Sequence, residues 1–429
     1  MQRFIKLAVI FLCLTLTTIA SAQKASTLGT DTVTLKLDSL QSIFLHKNLM
    51  LLAQRYNIDA QKALIAQAKL FPNPTLNFGT PIYQSVTDTF FPFGIDGEIT
   101  IGLSQVITLA GKHNKQVKIA QTNASLSEYQ FYDLMRTLKH TLQSDFYNIY
   151  FLLQSAKVYD TEIDALKQVT DAFARQNGKG YISEKEVIRV KAQLYSLQSE
   201  YSDLKNQIND IQSEMRILLH ANTVFIVPEV DTTTFTRLNP EKYPLAAVMD
   251  SALSTRPDLR IAKLNTDLST QNYHLQKAMA VPDLTLQLGY DQQGGYINNM
   301  TTLGIGIDLP FLNRNQGNIK SAKALIKFNQ ANFEATQSTI KEQIYSTLLK
   351  AIESDRLLKN RDAGFEKDFD KMLTEVLKNY QVRNISLIEF LDFYDSYKQN
   401  TLQINSINFN RVNAFVDLNY YSGIDYFKN

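Results

Sequence analysis

The chain has 429 residues, with 44 basic and 42 acidic side chains, one cysteine and no tryptophan. A charge so near balance excludes the electrostatic footprint of a nucleic-acid binder, and one cysteine excludes a disulfide framework or a thiolate metal site. His46, His113, His140, His220 and His274 stand at no ligand spacing, the methionines do not cluster, and no nucleophile–base pair or phosphate loop occurs. No metal, no cofactor and no enzymatic activity is therefore expected.

Residues 1–22 read as a secretory signal peptide. Arg3 and Lys6 form the charged start, Leu7 to Ile19 are mostly apolar, and Ala20-Ser21-Ala22 offers a small-residue cleavage site before Gln23. Removing it leaves 42 basic against 42 acidic side chains. It also removes Cys13, which follows Leu12, too large for the position that lipid attachment requires. No later stretch reaches the ~18 consecutive apolar residues of a spanning helix, so an exported chain like this is periplasmic, secreted or a β-barrel.

Residues 23–34 are polar and extended. Apolar spacing of three and four predicts a helix from Leu35 to about Leu70, capped near Asp38-Ser39. Pro72 and Pro74 end it and open a strand through Gly79. A loop from Tyr83 to Gly97 leads to a second strand, Glu98 to Leu109. Ala110-Gly111-Lys112 then turns the chain into a helix from about His113 to Gln176, roughly 95 Å of rod at 1.5 Å per residue. Asn177-Gly178-Lys179-Gly180 breaks the rod and Ser183 caps a return helix, Glu184 to Leu218. Along it Val187, Val190, Leu194, Leu197, Tyr201, Leu204, Ile208, Ile211, Met215 and Leu218 keep strict alternation of three and four. Such a seam makes helices wind round each other as a coiled coil.

Residues 221–244, with Pro228, Pro240 and Pro244, read as an irregular linker with room for short strands. The plan then repeats. A helix from about Leu245 to Ala280 precedes two strands within Val281 to Gly317. A long helix follows from about Ile319 to Tyr380, a break at Gln381 to Ser386, and a return helix from Leu387 to Tyr420. In this last helix Phe390, Phe393, Tyr397, Ile404, Ile407, Ala414 and Leu418 continue the first return helix's register, with Asn400 and Arg411 as polar interruptions.

FPNPTLNFG at Phe71 matches AVPDLTLQLG at Ala280, and IGLSQVITLAGK at Ile101 matches LGIGIDLPFLNR at Leu303. Asn48-Leu49 aligns with Asp258-Leu259 at the same offset as Pro72 with Pro282, an internal repeat of about 200 residues. The organisation expected is a first repeat over 23–220, a linker over 221–244 and a second repeat over 245–429. Leu284, Leu286, Leu288 and Tyr290 alternate with Thr285, Gln287, Gly289 and Asp291, and Leu303, Ile305, Ile307, Leu309 and Phe311 with Gly304, Gly306 and Asp308. Runs of this length and alternation suit tilted strands crossing an outer membrane, apolar side to lipid and small or polar side to a wet lumen. Four strands cannot close in lipid, where open edges are not tolerated, so several chains must pool them.

Taken in order, these segments resemble the TolC family of outer membrane efflux proteins, and within it the heavy-metal resistance branch. The similar stretches are AKLFPNPTLNFG and KAMAVPDLTLQLG, LSQVITLAGKHNKQ and IDLPFLNRNQGNIKSAKA, and the tips NGKGYISEKEVI and NYQVRNISLIEFLD; with the repeat they cover nearly the whole mature chain. The resemblance implies a mainly α fold with a membrane β-barrel. Long antiparallel coiled-coil hairpins and four strands per chain would assemble as a homotrimer closing a twelve-stranded barrel and an α-helical barrel. It implies a passive conduit in the outer membrane, reaching into the periplasm as part of a tripartite efflux system. Its partners there would be a periplasmic adaptor protein, an inner-membrane pump of the RND type and the lipid itself. Heavy-metal cations or small toxic compounds are the cargo this suggests.

By the same resemblance Gly178, Gly180, Tyr181, Arg383 and Asn384 lie at periplasmic tips that engage the adaptor. Glu186, its counterpart Glu389, and Asp392 line the aperture, where a ring of carboxylates favours cations. Tyr380 matches a closing tyrosine, while Ile385 stands where some members carry arginine. The plainer readings are that any hairpin needs a turn, and that acids near a helix start are favoured by the helix dipole. Two other functions fit part of the sequence. A type I protein-secretion channel shares every feature, whereas a soluble periplasmic coiled-coil adaptor explains the hairpins but leaves four alternating strands unused.

Overall fold

The computed structural model describes residues 31–85, 88–93, 97–293, 297–361, 369, 371–372, 375–376, 378–380, 382 and 384–426. The expected signal peptide over 1–22 lies outside the described residues.

The chain begins with β1 (Asp31–Leu35), α1 (Leu37–Lys47) and α2 (Leu49–Ala68), followed by β2 (Thr75–Gly79), the short strands β3 (Tyr83–Gln84) and β4 (Thr89–Phe90), and β5 (Glu98–Ile107). The first hairpin is α3 (Lys112–Asn177) and α4 (Glu184–Leu219). Then come β6 (Val224–Pro228), α5 (Thr233–Thr236), a 3-10 turn at Pro240–Lys242, α6 (Leu245–Thr255) and α7 (Pro257–Met279). The strands β7 (Leu284–Gln293) and β8 (Ile297–Ile307) lead into α8 (Gln316–Lys359), and α9 (Leu387–Ser422) closes the order. At 66 residues, α3 is a rod of about 100 Å.

Five expectations need correction. The helix predicted over Leu35 to Leu70 is broken at Asn48, whose extended ψ of 120° ends α1. The Asn48 side chain accepts from Leu51 N–H and donates to Leu218 O at 2.8 Å, so one buried amide caps α2 and ties it to the end of α4. The second repeat breaks likewise at Arg256, because Pro257 forces the residue before it out of the helical region. The loop at Tyr83 to Gly97 contains the β3–β4 ribbon, in which Tyr83 and Phe90 pack with ring centroids 5.0 Å apart. The long helix expected to reach Tyr380 is interrupted after Lys359, where Arg361 N–H donates to Leu358 O in the tightened bond of a helix end, and the described residues between 369 and 380 are helical again. Finally, the buried seam of α9 runs through Leu387, Phe390, Tyr394 and Lys398, while Phe393 and Tyr397 turn aside to pack on Phe369.

Two cores result. One, at the middle of the molecule, gathers Leu40, Phe44, Phe146, Met215, Ile226, Ile344 and Phe415 from both repeats, with the parallel β1–β6 pair at its side. The other lies toward the tips and joins Tyr159, Ile163, Phe173 and Val190 of the first hairpin to Phe390 and Tyr394 of α9. Arg411, one of the polar seam residues, is clamped beside the first of these cores. Its guanidinium donates to Asp355 Oδ1 (2.8 Å) and to the carbonyls of Phe235 (2.7 Å) and Leu238 (2.8 Å), and Lys359 holds the other Asp355 oxygen at 2.6 Å. Among the described residues no helix is long and apolar enough to cross a membrane.

Candidate functional site: a two-faced sheet and two matching tips

The four long strands form one antiparallel sheet in the order β2-β5-β7-β8. Register carries the sequence alternation across it. Leu288 pairs with both Leu103 and Leu303, and Leu103 with Leu76, so apolar side chains share one face. Asn77, Gly102, Gly289 and Thr302 line up on the other. The apolar face is uncovered: Leu303 is 78% exposed and Leu76 70%. β2 is shorter than the other three strands, held between Pro74 and Pro81.

Small residues on the polar face are set against larger ones. A Cβ added to Gly79 would lie 2.5 Å from Thr100 Oγ1, and one added to Gly289 would lie 2.6 Å from Thr302 Oγ1. These are equivalent pairs in the two repeats. Both sheet-to-rod turns pass through a left-handed residue, Gly111 (φ 65°) before α3 and Asn315 (φ 57°) before α8. The first turn is locked by Asp283, which accepts from Leu109 N–H (2.9 Å) and from buried Lys112 (2.7 Å).

At the opposite end the two hairpin tips are one turn made twice. Tyr181 N–H donates to Gln176 O (3.0 Å), and Asn384 N–H to Asn379 O (2.9 Å). Each return helix then starts with a capping box: Ser183 N–H donates to Glu186 Oε2 (3.0 Å), and Ser386 N–H to Glu389 Oε2 (2.8 Å), while each serine hydroxyl accepts from the glutamate's own N–H. Those hydrogen bonds, from the Ser386 backbone and then its side chain, hold Glu389 below the usual carboxylate range. Glu186, Glu389 and Asp392 are exposed, as are Tyr181 and Asn384; Arg383 lies outside the described residues. Of the two tip glycines only Gly180 needs its freedom, at φ 78°, whereas Gly178 is right-handed. Tyr380 stacks on Phe390 (4.4 Å between centroids) and tilts against Phe173 (5.8 Å), bridging the two hairpins. A cleft of about 360 Å³ opens beside it, lined by Phe173, Tyr181, Glu186, Ile385 and Ser386.

A family model of outer membrane efflux proteins matches residues 40–219 and 248–367, one segment in each repeat. The chain belongs to the outer membrane efflux proteins, the TolC family of channels. That membership makes it a channel rather than an enzyme, seated in the outer membrane and extending into the periplasm. As an efflux protein it is 20% identical over 289 residues to the cobalt-zinc-cadmium resistance protein CzcC of Cupriavidus metallidurans. That match spans 67% of this chain and 66% of the relative, just under two thirds of its length. The fold is like that of CusC, whose crystal structures concern transmembrane channel formation, with a TM-score of 0.73, 16% identity, and coverage of 94% of this chain and 96% of that one. It is also like the CmeC outer membrane channel of Campylobacter jejuni, with a TM-score of 0.70, 15% identity, and coverage of 90% and 85%.

One cluster in this efflux protein escaped the sequence reading. Lys398, 2% exposed, is held by Glu200 (2.9 Å) and Asp395 (3.0 Å) between the hairpins, and Tyr159 OH lies 3.4 Å from Glu200. Glu162 is buried beside them, and burial pushes its carboxyl up to about 8 despite the opposing Lys398 charge. The available signal was spacing, since Lys398 falls four residues after Tyr394 on the inward face. Among the described residues no group of His, Cys, Asp or Glu is arranged to hold a metal ion.

Proposed function

We propose that three copies of this chain pool their sheets into one twelve-stranded barrel and their hairpins into one helical duct. In this reading each copy contributes two structural repeats, 23–220 and 245–429, joined through 221–244. The duct is a passive conduit that receives cargo from a periplasmic adaptor and an inner-membrane pump of the RND type. One observation carries the reading: a four-stranded sheet with two free edges and an uncovered apolar face. In lipid such a sheet must close, and one copy supplies too few strands to enclose a passage. The likeness to a cobalt-zinc-cadmium resistance protein favours divalent metal cations as cargo. Cargo then passes through without being bound at any resident metal centre.

At the far end, Glu186, Glu389 and Asp392 line the aperture and Tyr380 braces it. Gly178, Gly180, Tyr181, Arg383 and Asn384 form the adaptor-docking tips. Threefold repetition would turn exposed carboxylates into a ring that admits cations and repels anions. The test is planar-bilayer conductance of the purified protein. Replacing Glu389 and Asp392 together by alanine should lower cation preference, and unchanged selectivity would remove both from the aperture. For the barrel, cysteines at Leu286 and Gln287 should label oppositely, the first from lipid and the second from the lumen. Equal labelling would count against a membrane sheet.

A further inference from the structure

The repeat predicts how the free edges meet. The register of β2 with β5 and that of β7 with β8 are the same under the repeat. Asn77–Gly102 and Gly79–Thr100 become Gln287–Gly304 and Gly289–Thr302, all four being observed pairs with no slip. Within the chain, the junction between repeats is β5 with β7, where Ser104 faces Gln287 and Leu103 faces Leu288. The counterpart of that junction joins β8 of one copy to β2 of the next. We infer that β8 and β2 of neighbouring copies pair antiparallel with Gly306 opposite Asn77, Ile305 opposite Phe78, Ile307 opposite Leu76 and Gly304 opposite Gly79. This inference rests on the shared barrel proposed above and adds the partner surface and its register.

Two consistency checks agree with it. First, the register keeps the faces in phase. The two apolar pairs share the uncovered face, on which Phe78 is 62% exposed, Leu76 70%, Ile305 66% and Ile307 52% in a single copy. The small and polar residues fall on the other side, and a slip of one residue would set apolar against polar. Second, the closure geometry is right. Following hydrogen-bonded partners from Asn77 through Gly102 reaches Gly289, the counterpart of Gly79, a stagger of two residues for each two strands. With ~3.3 Å per residue and ~4.8 Å between strands, a barrel repeating that step has strands tilted by about 35°, inside the range of membrane barrels.

A slip of two residues would preserve the faces, so the register itself must be tested. The lumen-side pair suits disulfide trapping, because facing residues in antiparallel strands have Cα atoms roughly 4.5–5.5 Å apart, within disulfide reach. A side chain at position 306 also meets only ordinary contacts, the nearest atom being Thr285 Cβ at 3.6 Å. The full chain carrying Asn77→Cys and Gly306→Cys is oxidised in outer membranes and run on a non-reducing gel. The intrachain counterpart, Ser104→Cys with Gln287→Cys, calibrates how readily this geometry closes. Copies should link through the 77–306 pair as efficiently as the calibrator closes internally, and several-fold less through Asn77→Cys with Gly304→Cys or with Asp308→Cys. Stronger linkage through either offset pair overturns the register and leaves the shared barrel standing. No linkage between copies by any of the three, with the calibrator closed, overturns the register and the shared barrel together.

Discussion

The sheet and the helical body treat exposure in opposite ways. In the body, one copy encloses even its charges. Arg411 and Asp355 have side chains 7% and 4% exposed, every group of that guanidinium that is bonded finds its partner within the chain, and Lys398 is as deeply buried among its acids. In the sheet, one copy leaves large apolar side chains bare and two strand edges unpaired. The difference teaches that a single chain completes the inner core of its helices, while its strands, like outward helical residues such as Tyr56, Tyr195, Ile217 and Phe328, keep large apolar side chains bare. Perturbations should therefore sort into those that unfold the body and those that leave it folded but unassembled.

The largest effect is expected at the clamp. Arg411→Ala leaves the buried Asp355 carboxylate with Lys359 alone and frees the carbonyls of Phe235 and Leu238, at a cost of about 3 kcal/mol. Thermal unfolding followed by helical circular dichroism should show a large fall in Tm; a drop no greater than that of a surface substitution would break the contrast drawn above. Next is Glu162, whose effect depends on pH. Its carboxyl is raised from 4.5 to about 8 by burial, so the folded state holds a proton that the unfolded state releases. The stability this contributes is complete below about pH 4.5 and is lost as pH rises through about 8. Glu162→Gln should therefore flatten the decline in Tm between pH 5 and pH 9, with the variants compared by calorimetry at each end.

The sheet provides the complementary test. Gly289→Val drives a side chain into Thr302 Oγ1, 2.6 Å from where its Cβ must sit, at about 1–3 kcal/mol. The helical signal should persist while the oligomer that survives detergent electrophoresis is depleted; loss of both together would show that sheet and body fold as one unit. The smallest effect belongs to the tips. Ser183→Ala or Ser386→Ala removes one half of a capping box, worth about 1 kcal/mol. Faster hydrogen exchange confined to the first turns of α4 and α9 would locate it, with Tm almost unchanged.

Much of this was legible in the sequence because it is periodic. The two-residue alternation of Leu284 to Tyr290, the seam from Val187 to Leu218 and the duplicated segments each sum a weak signal over many positions. What was not legible turned on single residues. Asn48 interrupts a helical pattern with one buried amide whose partner, Leu218 O, lies 170 residues away. Arg256 announced its break only through the following Pro257. In α9 the apolar residues offered two overlapping stripes, and the choice fell to Lys398, a charge that sequence reasoning assigns to solvent until its acidic partners on another hairpin are known. The glutamates at the tips were visible as acids near a helix start. Their engagement by Ser183 and Ser386 follows from the Ser-x-x-Glu spacing at both sites.

That duplicated stapling has a mechanical consequence. Where a glutamate and a serine fasten the opening turn of a helix from within, bending strain is hard to absorb there, and the hairpin ends behave as stiff levers. Compliance is left to places whose continuity is already interrupted, at Asn48, at Arg256 and just past Lys359. All three belong to the belt around the middle of the molecule. Any displacement of the tips would then originate far from them, with small rotations at the belt magnified along rods whose length sets the leverage.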